Sequence, residues 1–132
     1  MRNSVIIVDD FSLMAELVQY NLEICGYENT TVYYDPLECL EKLDVKQCPA
    51  LIISDFDMPK LNGASFLSKA CSICTGAKGV IMTDDPKAAH KATHAFPVLQ
   101  KGTPNFFPEL LKYVTLSLGK KPVMPQSKVA LP

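Results

Sequence analysis

The chain has 132 residues, 48% hydrophobic and 20% charged, which is room for one domain with a proper core and not for two. Thirteen basic and 14 acidic residues leave a net charge of −1, so there is no electrostatic footprint of a nucleic-acid binder. Apolar runs are strand-length, far short of the roughly 20 residues that span a bilayer, and the N-terminus lacks a leader pattern because acids arrive at Asp9. A cytoplasmic protein is expected.

Ser4 to Val8 predicts a buried strand of consecutive β-branched residues. Phe11 to Cys25 has helical apolar spacing through Leu13, Leu17 and Ile24 beside Met14, Val18 and Leu22, and Gly26 supplies a stop. Thr30 to Tyr34 is rich in β-formers. Asp35-Pro36 then reads as an N-cap and first helical residue, opening a short helix through Leu43. Ala50 to Ser54 is a second continuous apolar strand. Ala64 to Cys74 predicts a helix, Gly79 to Met82 a strand, and Asp85-Pro86 repeats the cap-plus-proline device before a short segment ending at Ala95. Phe96 to Gln100 predicts an edge strand because it contains Pro97. A last helix is expected from about Pro108 to Leu118, stopped by Gly119, and Lys120 to Pro132 reads as a flexible tail or linker after a domain of residues 1–119. Of the five cysteines, Cys25, Cys39 and Cys71 fall in apolar periodic segments. The lone Cys71-Ser-Ile-Cys74 has no second pair and no well-placed His, so buried small hydrophobes are expected there rather than a metal or redox centre.

Five alternations of strand and helix predict an α/β fold, a parallel sheet with helices on both faces. Ligands of such sheets bind beyond the carboxyl ends of the strands. Those ends carry Asp9 and Asp10, Asp55, Thr83 and Lys101. Each is unremarkable alone, as a turn, a cap or a surface charge; together they form a chemical set. If the first and third strands are neighbours, three carboxylates meet, and two of them ~4 Å apart repel by ~4 kcal/mol at an effective dielectric near 20. One lysine leaves the set two charges negative. Raised pKa values or a hard divalent cation such as Mg²⁺ would relieve that repulsion.

With these residues in place, the chain resembles a response-regulator receiver domain of two-component signalling. The motifs are Val8-Asp9-Asp10, Asp55-Phe56-Asp57-Met58-Pro59 with Gly63, Ile81-Met82-Thr83 and Leu99-Gln100-Lys101, covering residues 4 to about 118. The resemblance implies a flavodoxin-like sheet of order 2-1-3-4-5. It implies that Asp55 accepts a phosphoryl group from a histidine kinase or phosphotransfer protein, with no enzymatic activity beyond self-phosphotransfer and self-dephosphorylation. Mg²⁺ would be held by Asp9, Asp10, Asp55 and the backbone carbonyl of Asp57. Thr83 and Lys101 would bind the phosphoryl oxygens, and an output protein, or a second copy in a homodimer, would read the change.

Four features depart from the family pattern. Asp84 follows Thr83 where a small residue is usual. Gly102 follows Lys101 where proline is usual. Val98 occupies the place of the switch aromatic, and Phe96 lies ~6.6 Å further back along the strand. The interval from Thr83 to Lys101 is short, so the fourth helix should be stunted or irregular. Asp57 and Asp85 sit at positions that tune phosphoryl lifetime in the family. Two other readings are a degenerate receiver that binds a partner without phosphorylation, and a phosphatase of the haloacid-dehalogenase type. Asp55-Phe56-Asp57 satisfies the latter's D-x-D signature, though on the third strand rather than the first.

Overall fold

The computed structural model describes residues 3–123. Five strands and five helices alternate along it: β1 (Val5–Val8), α1 (Ser12–Ile24), β2 (Thr30–Tyr33), α2 (Pro36–Lys42), β3 (Leu51–Asp55), α3 (Gly63–Ile73), β4 (Lys78–Thr83), α4 (Pro86–Ala92), β5 (Val98–Gln100) and α5 (Phe106–Leu118). The sheet is entirely parallel, in the order β2-β1-β3-β4-β5. This is the flavodoxin-like arrangement, and its fourth helix is only two turns long.

Side-chain alternation divides the core into two layers. Val5, Ile7, Leu51, Ile53, Val80 and Met82 pack under α1 and α5, with Val18, Leu22, Leu110 and Val114. Ile6, Val8, Ile52 and Ile81 face the other way, onto Cys39, Phe66, Leu67, Ala70 and Ala89 of α2, α3 and α4. A strand covered on both faces must be apolar at every position, which is why β1 and β3 read as unbroken runs.

Asp35 and Asp85 cap α2 and α4 through their side chains, accepting from Leu37 N–H and Ala88 N–H, each with proline following at the first helical position. The last helix starts at Phe106 rather than Pro108. Pro108 falls in the first turn, where backbone N–H groups have no helical partner to lose. The fifth strand is shorter than the run Phe96–Gln100. Pro97 contributes only its carbonyl, which accepts from Ile81 N–H at 2.9 Å, and Phe96 lies on Gly79, where a Cβ would come within 2.9 Å of its ring.

The cysteines require a correction. Cys25 and Cys39 are buried free thiols, as a small hydrophobe would be, and Cys71 is a half-buried free thiol. Cys74 instead forms a disulfide with Cys48, 26 residues earlier, with Cα atoms 5.5 Å apart. Cys48 lies in no periodic segment, so nothing local marks it as a partner.

Lys120 to Val123 have no regular structure but are fastened. Tyr27 Oη donates to Lys120 O at 2.6 Å, Val123 N–H donates to Cys25 O at 2.8 Å, and Lys120 Nζ donates to Gly26 O at 3.3 Å. The remainder of the expected tail, residues 124–132, lies outside the described residues. No helix among the described residues is long and apolar enough to cross a membrane.

Candidate functional site

Strand register decides what meets at the carboxyl edge. β1 and β3 pair with Val8 beside Ser54, so Asp9 and Asp55, one residue later on each strand, arrive side by side. Asp55 pairs with Met82, which places Thr83 at the end of β4, and Thr83 pairs with Gln100, which places Lys101 just beyond β5. The backbone continues this ladder, with Lys101 N–H donating to Thr83 O at 2.9 Å.

Asp9 has no solvent exposure. Its Oδ1 accepts from Phe11 N–H at 2.9 Å and its Oδ2 from Lys101 Nζ at 3.2 Å. Lys101 Nζ donates also to Asp55 Oδ1, at 2.7 Å, so one ammonium bridges two carboxylates. Asp10 is exposed, yet one oxygen each of Asp9, Asp10 and Asp55 lie within 4.8 Å of one another.

Burial raises the Asp55 pKa to about 6; the Lys101 hydrogen bond opposes that rise, and the charges of Asp9 and Asp10 add to it. Burial raises Asp9 as well, against the Phe11 N–H and Lys101. Burial disfavours the Lys101 ammonium too, but its bond to Asp55 and the two carboxylate charges prevail and hold its pKa above the usual value. The site is short of positive charge. Three clustered carboxylates, one facing solvent, make an all-oxygen donor set that suits a hard divalent cation.

The β3–α3 loop folds back on its own strand. Gly63 N–H donates to Phe56 O at 2.8 Å. A Cβ on Gly63 would collide with the Asp55 carbonyl oxygen and lie 3.0 Å from Phe56 Cα, so only glycine permits this approach. Asp57 is exposed in this loop. Lys60 takes a left-handed φ of 74° and pairs with Asp35 Oδ2 at 3.0 Å, tying the loop to the N-cap of α2. That pair spans 25 residues and had no signal in local spacing, where Asp35 reads only as a cap.

Thr83 is buried, and its Oγ1 accepts from Asp85 N–H at 3.0 Å. Asp85 faces its own helix as a cap, and Asp84 is exposed. Gly102 turns the chain after Lys101 with a φ of 75°, a conformation a proline could not adopt. Val98 is half-buried at the place of the switch aromatic, while Phe96 is on Gly79, toward the opposite edge of the sheet.

The family profile of the response regulator receiver domain matches residues 5–104. The chain belongs to that family. Receiver domains are signalling modules of two-component systems, generally not enzymes. Among curated relatives, the receiver is 33% identical over 67 residues to chemotaxis protein CheY1 of Helicobacter pylori, a match covering 51% of the chain and 54% of that protein. It is 40% identical over 63 residues to the alkaline phosphatase synthesis transcriptional regulatory protein PhoP of Bacillus subtilis, covering 48% of the chain and 25% of that protein. The matched stretch thus spans about half the length of the first relative and a quarter of the second. Among solved structures, the response regulator domain of Thermotoga maritima CheB superposes with a TM-score of 0.68 at 20% identity, over 92% of the receiver and 100% of that chain. The receiver domain of the hybrid histidine kinase CckA superposes with a TM-score of 0.69 at 22% identity, over 87% and 98%. At those identities the structures speak for the fold alone. Neither the phosphatase reading nor the degenerate-receiver reading is favoured by these matches.

Proposed function

We propose that the receiver is a phosphorelay response regulator in which Asp55 accepts a phosphoryl group from a histidine kinase or phosphotransfer protein. An Asp55 carboxylate oxygen attacks phosphorus, the phosphorus–nitrogen bond of the donor phosphohistidine breaks, and its electron pair stays on the imidazole. The observation that carries this reading is the Lys101 ammonium 2.7 Å from Asp55 Oδ1, within a group of three carboxylates at the switch point. Asp9, Asp10, Asp55 and the carbonyl of Asp57 are the groups that would hold Mg²⁺. When bound, that ion supplies positive charge for the phosphoryl oxygens and relieves repulsion among the acids. Lys101 takes a phosphoryl oxygen and loosens its hold on Asp55. Thr83 Oγ1 hydrogen-bonds another, which strains its present bond from Asp85 N–H and pulls on the N-cap of α4.

Output from this site differs from the family pattern. With Val98 in the aromatic's place and Phe96 held on Gly79, the ring that the family draws inward toward the threonine is missing from its usual position, and α4 has only seven residues to move. The signal therefore leaves through the β4–α4 loop toward a protein partner, either an output protein or a second copy in a homodimer. A net charge of −1 supports protein rather than nucleic-acid contact. Residues 1–119 act as the receiver unit in the cytoplasm and residues 120–132 as its tail, the first four of them laid against the α1–β2 turn.

Acetyl phosphate with Mg²⁺ tests the assignment. Stoichiometric, acid-stable and base-labile labelling of the parent and none of Asp55→Asn is expected; equal labelling of both overturns it. Amide shifts on adding beryllofluoride should spread from residues 83–86 without a rigid displacement of a full-length fourth helix.

A further inference from the structure

Sequence spacing gives the Cys71-Ser-Ile-Cys74 pair no role, and the phosphoryl site does not use it. The structure gives it a third sulfur. Cys48, before β3, is joined to Cys74, at the C-cap of α3. The bond is sealed: Cys74 has no exposure and Cys48 has 9%. No thiol or disulfide from solvent can reach Cys74, yet thiol–disulfide exchange requires a thiolate in line with the sulfur it attacks. Cys71 lies one helical turn before Cys74 on the same core layer, and it is half-buried. It also walls a largely apolar cavity of about 340 Å³, shared with Phe96, Tyr113 and the exposed Leu116, at the edge of the sheet away from Asp55.

We propose that Cys71 is an exchange site for small disulfides and thiols, through which the buried Cys48–Cys74 bond is made and opened. In the oxidising direction, the Cys71 thiolate attacks an external disulfide R–S–S–R, forming a mixed disulfide and releasing one RS⁻. The Cys74 thiolate then attacks the Cys71 sulfur, forming Cys71–Cys74 and releasing the second RS⁻. Finally the Cys48 thiolate attacks the Cys74 sulfur, forming Cys48–Cys74 and returning Cys71 as a thiolate. Two protein thiols are oxidised and one external disulfide is reduced to two thiols. An excess of small thiol runs the same steps backward.

The remaining cysteines are spectators. Cys25 is buried on the opposite core layer, and burial pushes the Cys39 thiol up to about 12, leaving almost no thiolate. Burial also raises the Cys71 thiol, while the Lys78 ammonium draws it back, so exchange quickens as pH rises. The bond matters because the segment it closes, between cysteines with a sequence separation of 26, holds all of β3, including Asp55, and the folded-back loop. Its redox state sets how much slack that segment has. This inference does not depend on phosphorylation.

The full chain, reduced and freed of reductant, is treated with glutathione disulfide at mildly alkaline pH, quenched with iodoacetamide at intervals and mapped by peptide mass. Glutathione should appear first on Cys71 and give way to a Cys48–Cys74 link with Cys71 free. In Cys71→Ser and Cys71→Ala, both checked for parental circular dichroism, the link should form about 10-fold more slowly or worse. In Cys48→Ser the reaction should stop at Cys71–Cys74. Link formation at the parental rate in both Cys71 variants overturns the proposal, as does glutathione appearing first on Cys48 or Cys74, or the absence of a Cys71–Cys74 link in Cys48→Ser.

Discussion

The two edges of this sheet handle polar atoms in opposite ways. At the amino edge, groups brought in from solvent find partners: Tyr27 Oη meets Thr115 Oγ1 and Lys120 O, Cys74 is bonded to Cys48, and Phe96 fills the space over Gly79. At the carboxyl edge, Asp9 and Asp55 are nearly as buried, yet they share a single ammonium and lie beside a third acid. The first edge has its polar groups paired. The second is left short of positive charge, and a group short of charge is one that a cation or an incoming phosphoryl with its metal can stabilise. The proposed function is assigned to the edge where the fold leaves its electrostatics incomplete.

If the carboxyl edge is held in its awkward state by the backbone around it, the largest effect should come from displacing that backbone. Gly63→Ala puts a methyl against the Asp55 carbonyl oxygen and Phe56 Cα, neither of which can move without β3. A loss of about 3 kcal/mol in urea unfolding is expected, together with weaker Mg²⁺ binding. Parental stability would show that the loop is looser than its geometry. Gly79→Ala at the other edge meets only side-chain atoms, the Phe96 ring and a Leu67 methyl at 3.2 Å, and the ring borders a cavity into which it can swing, so it should lose distinctly less.

Titration sharpens the same contrast. The folded-state pKa of Asp55, about 6, lies above its ordinary 3.8, so the native state holds this proton more tightly than the unfolded chain does. Its stabilising contribution is complete below pH 4, declines as pH rises toward about 6, and is flat above. With chelator present, Asp55→Asn should therefore be more stable than the parent near neutral pH by about 3 kcal/mol, an upper figure from the two-unit shift. The advantage should shrink toward zero near pH 4. Taking the difference between the two proteins cancels carboxylates such as Asp35, whose bond from Lys60 lowers its pKa and so acts in the opposite direction. An advantage that stays constant with pH would mean that Asp55 is not the group under strain.

The sequence carried most of the carboxyl edge because that edge is built from strand ends. A run such as Leu51 to Ser54 announces a strand buried on both faces, and the polar residue that ends it must emerge at the switch point. Asp9, Asp10, Asp55, Thr83 and Lys101 were legible for that reason, and the short α4 from the spacing between the last two. Long-range partnerships were not. Cys48 to Cys74, Lys60 to Asp35 and Tyr27 to Lys120 join residues whose local patterns say nothing of one another. The start of α5 is not legible from Pro108, because a proline fits any position of the first turn and here follows two helical residues, Phe106 and Phe107.

The smallest expected effect tests whether the amino edge is as settled as it looks. Tyr27 is 3% exposed, and its hydroxyl is the one side-chain group that ties the α1–β2 turn both to α5 and to the segment after it. Tyr27→Phe keeps the ring in the core and removes only the hydroxyl, leaving Lys120 O and Thr115 Oγ1 to find water. A buried hydroxyl with two partners contributes about 1 kcal/mol net, and a loss of that size is expected in urea midpoint at an unchanged slope. Amide exchange should quicken at Val123, whose N–H is held by Cys25 O, while protection in β3 and acetyl phosphate labelling of Asp55 stay at parental levels. A change at Asp55 would mean that the two edges are coupled through the sheet. Their separation into a satisfied edge and a strained one would then be a division of geometry without a division of energy.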